Sequence, residues 1–222
     1  MSVQLVMPFL PAASYAPEDF IAGEANAAAL ALMERWPDWP YSMVLLTGEA
    51  GSGKTHLAHV FAQRARASFL PPERVGEVPA EMLLTGSHSW VIDGIEAVAD
   101  EAALAQLINH ARARGDYVLM TARAPASALP IRLPDLASRL KALPALTLAQ
   151  PDDALLIAVL AKQFSDRQLR VAPELLTYAL THLERGFAAM ARFVATLDDL
   201  SLARHRAITL ALVREALAPK TI

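Results

Sequence analysis

The chain has 222 residues, 54% of them apolar, and a formal net charge of -3. That is ample side chain for a core and excludes a largely disordered protein, while the length suits one large domain or two unequal ones. The absence of any Lys/Arg run argues against stable direct DNA binding, and the absence of Cys excludes disulfides and thiolate metal sites.

In chain order, residues 1–17 carry Pro8, Pro11 and Pro17 without periodicity and read as an extended arm. Met1 to Pro11 lacks the basic start and long apolar centre of a signal peptide, and no run approaches about 18 uncharged apolar residues. A soluble, cytoplasmic protein without membrane contact is expected. Glu24 to Arg35 has helical composition and stops at Trp36-Pro37. Met43 to Thr47 is a short apolar run ending at Gly48, the pattern of a buried parallel strand before a tight turn. An Ala-rich helix follows over Lys54 to Arg66. Two further strands are expected at Trp90 to Asp93 and Tyr117 to Thr121, separated by a helix over Glu101 to Arg114, and a fourth at Ala145 to Leu148. Beyond Gln150-Pro151 the chain reads as helices broken near Pro173 and Gly186, with one β-branched piece at Ile208-Thr209.

Strands alternating with helices predict an α/β fold in which helices cover both faces of a parallel sheet. The expected organisation is an arm over 1–17, an α/β nucleotide-binding domain over 18–150, and a small helical domain over 151–222.

Gly48-Glu49-Ala50-Gly51-Ser52-Gly53-Lys54-Thr55 fits G-x-x-x-x-G-K-[ST] in full, between a strand and a helix. Glycines at these places let successive N–H groups converge on phosphate oxygens at the positive end of the following helix. Lys54 is expected on the β- and γ-phosphates, and the Thr55 hydroxyl and strand-end Asp93 on Mg²⁺. Many hydrolysing P-loop proteins carry a second acid after such an aspartate, to orient water. Here that residue is Gly94, with Glu96 two places further on, so weak or no intrinsic ATPase activity is expected.

Four segments resemble the AAA+ ATPase domain of the DnaA/Hda family, and most closely its short Hda branch. Phe20-Ile21-Ala22-Gly23-Glu24-Ala25-Asn26 resembles the motif around the adenine, which implies Phe20, Ile21, Gly23 and Asn26 as nucleotide contacts. GEAGSGKTHLAH resembles the family's phosphate loop, including His56. Leu133-Pro134-Asp135-Leu136-Ala137-Ser138-Arg139-Leu140 is similar to the segment bearing the arginine finger, which implies Arg139 as that finger. Ala207 to Leu217 resembles the end of the family's lid.

The resemblance further implies an AAA+ core with a helical lid, ADP or ATP with Mg²⁺ as ligands, and Thr121 as first sensor. Counting back from the lid's end puts Ala188 at the second-sensor position, so Arg185 and Arg192 both stay open for that role. Gln4-Leu5-Val6-Met7-Pro8-Phe9 resembles the motif by which Hda docks on the DNA polymerase III sliding clamp (the β subunit); a side-chain amide and apolar side chains stiffened by Pro suit an apolar pocket. The implied activity is negative regulation of replication initiation, with Arg139 acting in trans on ATP held by DnaA. Two alternatives stay open: an ATP-driven loader or remodeller related to DnaA, and a nucleotide-gated scaffold without catalytic contribution. Whether the chain forms a homo-oligomer, and whether ADP or ATP is the active ligand, also stay open.

Overall fold

The computed structural model describes residues 19–204 and 207–218. The arm, including Gln4 to Phe9, lies outside the described residues. The chain divides into two compact units, one ending at Leu155 and the other beginning at Leu156.

Among the described residues the first unit holds five α-helices and five strands: α1 (Ala27–Glu34), β1 (Met43–Thr47), α2 (Lys54–Ala65), β2 (Ser68–Phe69), α3 (Ala80–Leu83), β3 (Ser89–Ile92), α4 (Glu101–Arg114), β4 (Tyr117–Ala122), α5 (Pro134–Lys141) and β5 (Ala145–Thr147). All strand pairs are parallel, in the order β2-β3-β4-β1-β5. β1 is buried at all five positions, as expected of a strand covered on both faces.

Strand alternation sorts side chains into two cores. Met43, Leu45, Trp90, Ile92, Val118 and Met120 pack with the buried residues of α3, α4 and α5. Val44, Leu46, Val91 and Leu119, which sit between them in sequence, pack with α1 and α2 on the other face. Each fully buried Leu, Ile or Phe adds roughly 1.5–3 kcal/mol of transfer free energy.

The ends of α4 follow from its sequence. Asp100 caps it by accepting the Ala103 N–H at 2.9 Å, and Gly115 closes it in the left-handed region at φ 73°. Leu104, Leu107, Ile108 and Ala111 repeat at helical spacing and are all buried.

The structure differs from the sequence reading in three places. The first helix starts at Ala27 rather than Glu24, because the Asn26 side chain binds Ile21 and Gly23 and holds residues 23–26 in a turn. β2, with two residues, and α3, with four, are too short to leave a periodic signal. The finger-like segment folds as α5, which buries Leu136 and Leu140 one turn apart. The β-branched piece at Ile208-Thr209 leads into a helix, which Thr209 caps by accepting from the Leu212 N–H at 3.5 Å.

The second unit is helical, comprising α6 (Asp153–Asp166, which begins just before the division), α7 (Pro173–His182), α8 (Phe187–Arg204) and α9 (Leu210–Leu217). Its core is built from Leu156, Leu160, Phe164, Met190, Val194 and Leu197 with Leu212 and Val213 of α9. Arg204 and Glu215 form an ion pair between α8 and α9. Among the described residues no helix is long and apolar enough to cross a membrane.

Candidate nucleotide-binding site

β1 brings the chain to the C-terminal edge of the sheet, where the Gly48 N–H donates to Ala122 O at 3.2 Å beside the end of β4. This is where open α/β sheets bind ligands. Two of the loop's glycines are demanded by geometry. A Cβ on Gly48 would stand 2.7 Å from Ser52 Oγ and 3.0 Å from the Leu148 carbonyl oxygen. Gly53, the residue before α2, is left-handed at φ 96° and gives that helix no side-chain cap. The first-turn N–H groups of α2 are thus left to an external acceptor.

Ser52 supplies an independent test of what the loop accepts. It is 4% exposed, and its hydroxyl has no hydrogen-bond partner. Such a buried orphan costs roughly 1–3 kcal/mol until something bonds to it. An anionic oxygen within the loop fits both the hydroxyl and the uncapped helix end.

Lys54 spans the loop. Its Nζ donates to Gly48 O at 2.6 Å and to Glu49 O at 2.8 Å. Burial pushes its pKa below the ordinary lysine value; the Glu96 and Asp93 carboxylates oppose that shift, and Arg123 adds to it. The Glu49 carboxylate accepts from the Gln150 side-chain amide, while Ala50 and Gly51 complete the turn.

Three elements meet at Asp93. Thr55, in the first turn of α2, donates to Asp93 Oδ2 at 2.8 Å. Thr121, buried in β4, donates to Asp93 Oδ1 at 2.5 Å and accepts the Gly94 N–H at 2.8 Å. Both carboxylate oxygens are therefore oriented. Thr55 and Asp93 form a hard-oxygen pair of the kind that shares Mg²⁺ with phosphates and water.

Gly94 adopts φ 84° and ψ 64°, a conformation that disfavours an acidic side chain there. Glu96 turns toward the end of β4 instead. Its Oε1 accepts the Arg123 N–H at 3.2 Å and lies 3.5 Å from Arg123 Nε.

On the expected adenine side, the Phe20 ring meets His56 edge-on at 5.2 Å between centroids. Asn26 is buried; its Oδ1 accepts the Gly23 N–H at 2.9 Å and its Nδ2 donates to Ile21 O at 3.0 Å. It shapes the segment that contains Phe20, Ile21 and Gly23.

Arg139 sits on α5. Its Nε donates to Asp135 Oδ2 at 2.8 Å, and its Nη1 donates to Asn109 Oδ1 of α4. Arg185 and Arg192 belong to the helical unit, where Arg192 Nη2 lies 3.8 Å from Glu184 Oε2 on an exposed surface. Gln4 to Phe9 fall outside the described residues.

Sequence reading missed three partners. Asn109 and the Glu96–Arg123 pair join residues about 30 positions apart, a separation without local signature. Glu101 accepts the Arg132 and Leu133 N–H groups just before α5, and these bonds hold its carboxyl below the usual carboxylate range. The acid at the start of a helix was legible; its distant acceptors were not.

The parallel order with β1 between β4 and β5, the strand-to-helix phosphate loop and the Thr55–Asp93 pair define a P-loop protein of the AAA+ fold. Domain III of the replication initiation protein DnaA from Thermotoga maritima superposes with a TM-score of 0.80 at 16% identity, covering 94% of this chain and 99% of that one. AMPPCP-bound DnaA from Aquifex aeolicus gives 0.71 at 16% identity over 87% and 67% of the two chains. A Thermotoga maritima RuvB variant gives 0.72 at 19% identity over 94% and 72%. At these identities the likeness is one of fold.

Residues 153–217 match the family model described as Hda, lid domain. An uncharacterised protein of Haemophilus influenzae is 27% identical over 230 residues, spanning 98% of this chain and 99% of that protein. The chain is thus similar to the Hda lid over residues 153–217 and shares the AAA+ fold of DnaA domain III.

Proposed function

We propose that this chain regulates replication initiation by stimulating hydrolysis of ATP bound to DnaA. The observation that carries the reading is the match of residues 153–217 to the Hda lid on a DnaA-like core. In this reading ADP or ATP occupies the Gly48–Thr55 loop. The loop's N–H groups and Lys54 hold its phosphates, Phe20, Ile21, Gly23, Asn26 and His56 shape the base pocket, and Thr55 and Asp93 hold Mg²⁺. Bound Mg²⁺ neutralises phosphate charge. Thr121 orients Asp93.

Gly48 to Thr55 is then a structural and regulatory site, and the glycine after Asp93 is consistent with chemistry done elsewhere. Arg139 is a guanidinium on a surface helix, restrained by a carboxylate and an amide. It exchanges them for the γ-phosphate held by DnaA and stabilises the charge that develops during transfer. Gln4 to Phe9 bind the sliding clamp and raise the local concentration of this chain near newly replicated DNA.

Phosphate release from DnaA–ATP, followed with and without this protein and with DNA-loaded clamp, tests the reading. Acceleration is expected. Deleting residues 1–10 should remove the dependence on clamp while nucleotide binding persists, because a terminal arm seldom carries the fold. An unchanged rate with the intact chain would contradict the proposal.

A further inference from the structure

The start of α5 has no cap of its own. Leu133, the residue before the helix, makes no side-chain cap bond, and Pro134 in the first helical position has no N–H to place. The capping interaction comes from another element. Glu101, the first residue of α4, accepts the Arg132 N–H at 3.0 Å on both of its carboxylate oxygens and the Leu133 N–H at 2.6 Å on Oε2. A carboxylate here also lies at the positive end of the α5 dipole. The chain between Ala122 and Pro134 contains no helix or strand, so this contact restrains a segment without a ladder.

From these contacts we infer that Glu101 is the positioning residue for Arg139: its carboxylate fixes where α5 begins and therefore the direction in which the arginine points. The inference rests on the proposed role of Arg139 as a finger in trans. α-Helical geometry turns about 100° per residue, so a one-residue slip at Leu133 would carry Arg139 to another face. Leu136 and Leu140 restrain the helix on its buried side, but apolar contacts are non-directional and allow sliding that hydrogen bonds do not. Two turns further along α4, Asn109 meets the guanidinium itself. One helix thus holds both the start of α5 and the tip of its arginine.

Misplacing a catalytic group by about 1 Å can cost roughly 100-fold in rate while leaving binding intact. Glu101→Ala should therefore lower the stimulated hydrolysis of DnaA-bound ATP by roughly 10- to 100-fold, with affinity for DnaA changed less than about twofold, since Glu101 is not placed at the partner. Glu101→Gln keeps the shape and one acceptor oxygen and should fall between wild type and Glu101→Ala; it also carries the test should the alanine variant fold poorly. Hydrogen exchange supplies a readout that a general loss of stability would not mimic. In both variants the Arg132 and Leu133 amides should lose protection, while amides of β1 and β4 keep theirs.

Arg139→Ala is measured alongside. If it abolishes stimulation while both Glu101 variants stimulate like wild type, the positioning role is overturned and the finger stands. If Arg139→Ala itself stimulates like wild type, both fall. Lost stimulation in the Glu101 variants with unchanged protection at Arg132 and Leu133 would also overturn the inference, because the helix start would not have moved.

Discussion

Arg139→Ala should reduce stimulated hydrolysis of DnaA-bound ATP by roughly 10³–10⁵-fold while complexes with DnaA still assemble. The large figure reflects what the guanidinium does: it meets charge that grows only in the transition state, so its loss appears in rate rather than in binding. The structure separates this effect from misfolding. Arg139 pairs with Asp135 one turn away, a carboxylate 56% exposed, and such i,i+4 surface pairs are worth only about 0.3–0.5 kcal/mol. The melting temperature should therefore hardly change. Arg139→Lys should also fail, since an ammonium retains the charge but not the planar fork. Single-turnover phosphate release checks the rate, and co-sedimentation with DnaA checks assembly. A nucleotide-gated scaffold predicts the opposite pattern, with hydrolysis unaffected and assembly weakened.

The largest expected effect on stability lies at the other edge of the sheet. Asp116 is fully buried just before β4 and collects three donors: Trp90 Nε1 at 3.0 Å, Arg114 Nε at 3.1 Å, and His88 Nδ1 at 2.9 Å. Arg114 also donates to the Leu84 and Ser87 carbonyls, so the carboxylate joins β3, α4 and the turn after α3. Removing one partner of a buried charge pair costs about 3–5 kcal/mol, because the remaining groups stay desolvated. Arg114 keeps its carbonyl partners and some exposure, so about 3 kcal/mol is expected for Asp116→Ala. For a chain of this size that lowers the melting temperature by roughly 6–12 °C. Asp116→Asn retains one acceptor and should lose less. Thermal unfolding followed by circular dichroism reads both; an alanine variant melting with wild type would mean the cluster contributes no stability.

The contrast between these two residues shows how far sequence reasoning reaches. The Met43–Thr47 run, the eight-residue loop and the Thr55–Asp93 relation were legible because each signal is local: an apolar run, a fixed spacing, an acid at a strand end. The span of α4 was legible too, as the helix expected over Glu101 to Arg114. Asp116 gave no such sign. An acid after Gly115 looks like a solvated turn residue until the fold brings Trp90 and Arg114 to it. The same holds for Glu101 and Asn109, whose partners on and before α5 lie about 30 residues away. Local chemistry announces itself in one dimension; long-range polar pairing is created by the sheet order.

Asn26 is an instructive intermediate. Its place in a family-like motif marked it for the nucleotide, yet its side-chain atoms bind Ile21 and Gly23. The hydrogen bonds show that this residue shapes the segment that carries the motif.

Nucleotide titration tests the Gly48–Thr55 loop most directly. Mg-ADP and Mg-ATP titrated calorimetrically into the purified chain should bind saturably at one site. Lys54→Ala should weaken that binding by at least roughly 10-fold, since a hydrogen bond to a charged group contributes about 1.5–3 kcal/mol. Absence of binding by a folded wild-type chain, or equal binding by Lys54→Ala, would contradict the assignment of this loop as the phosphate site.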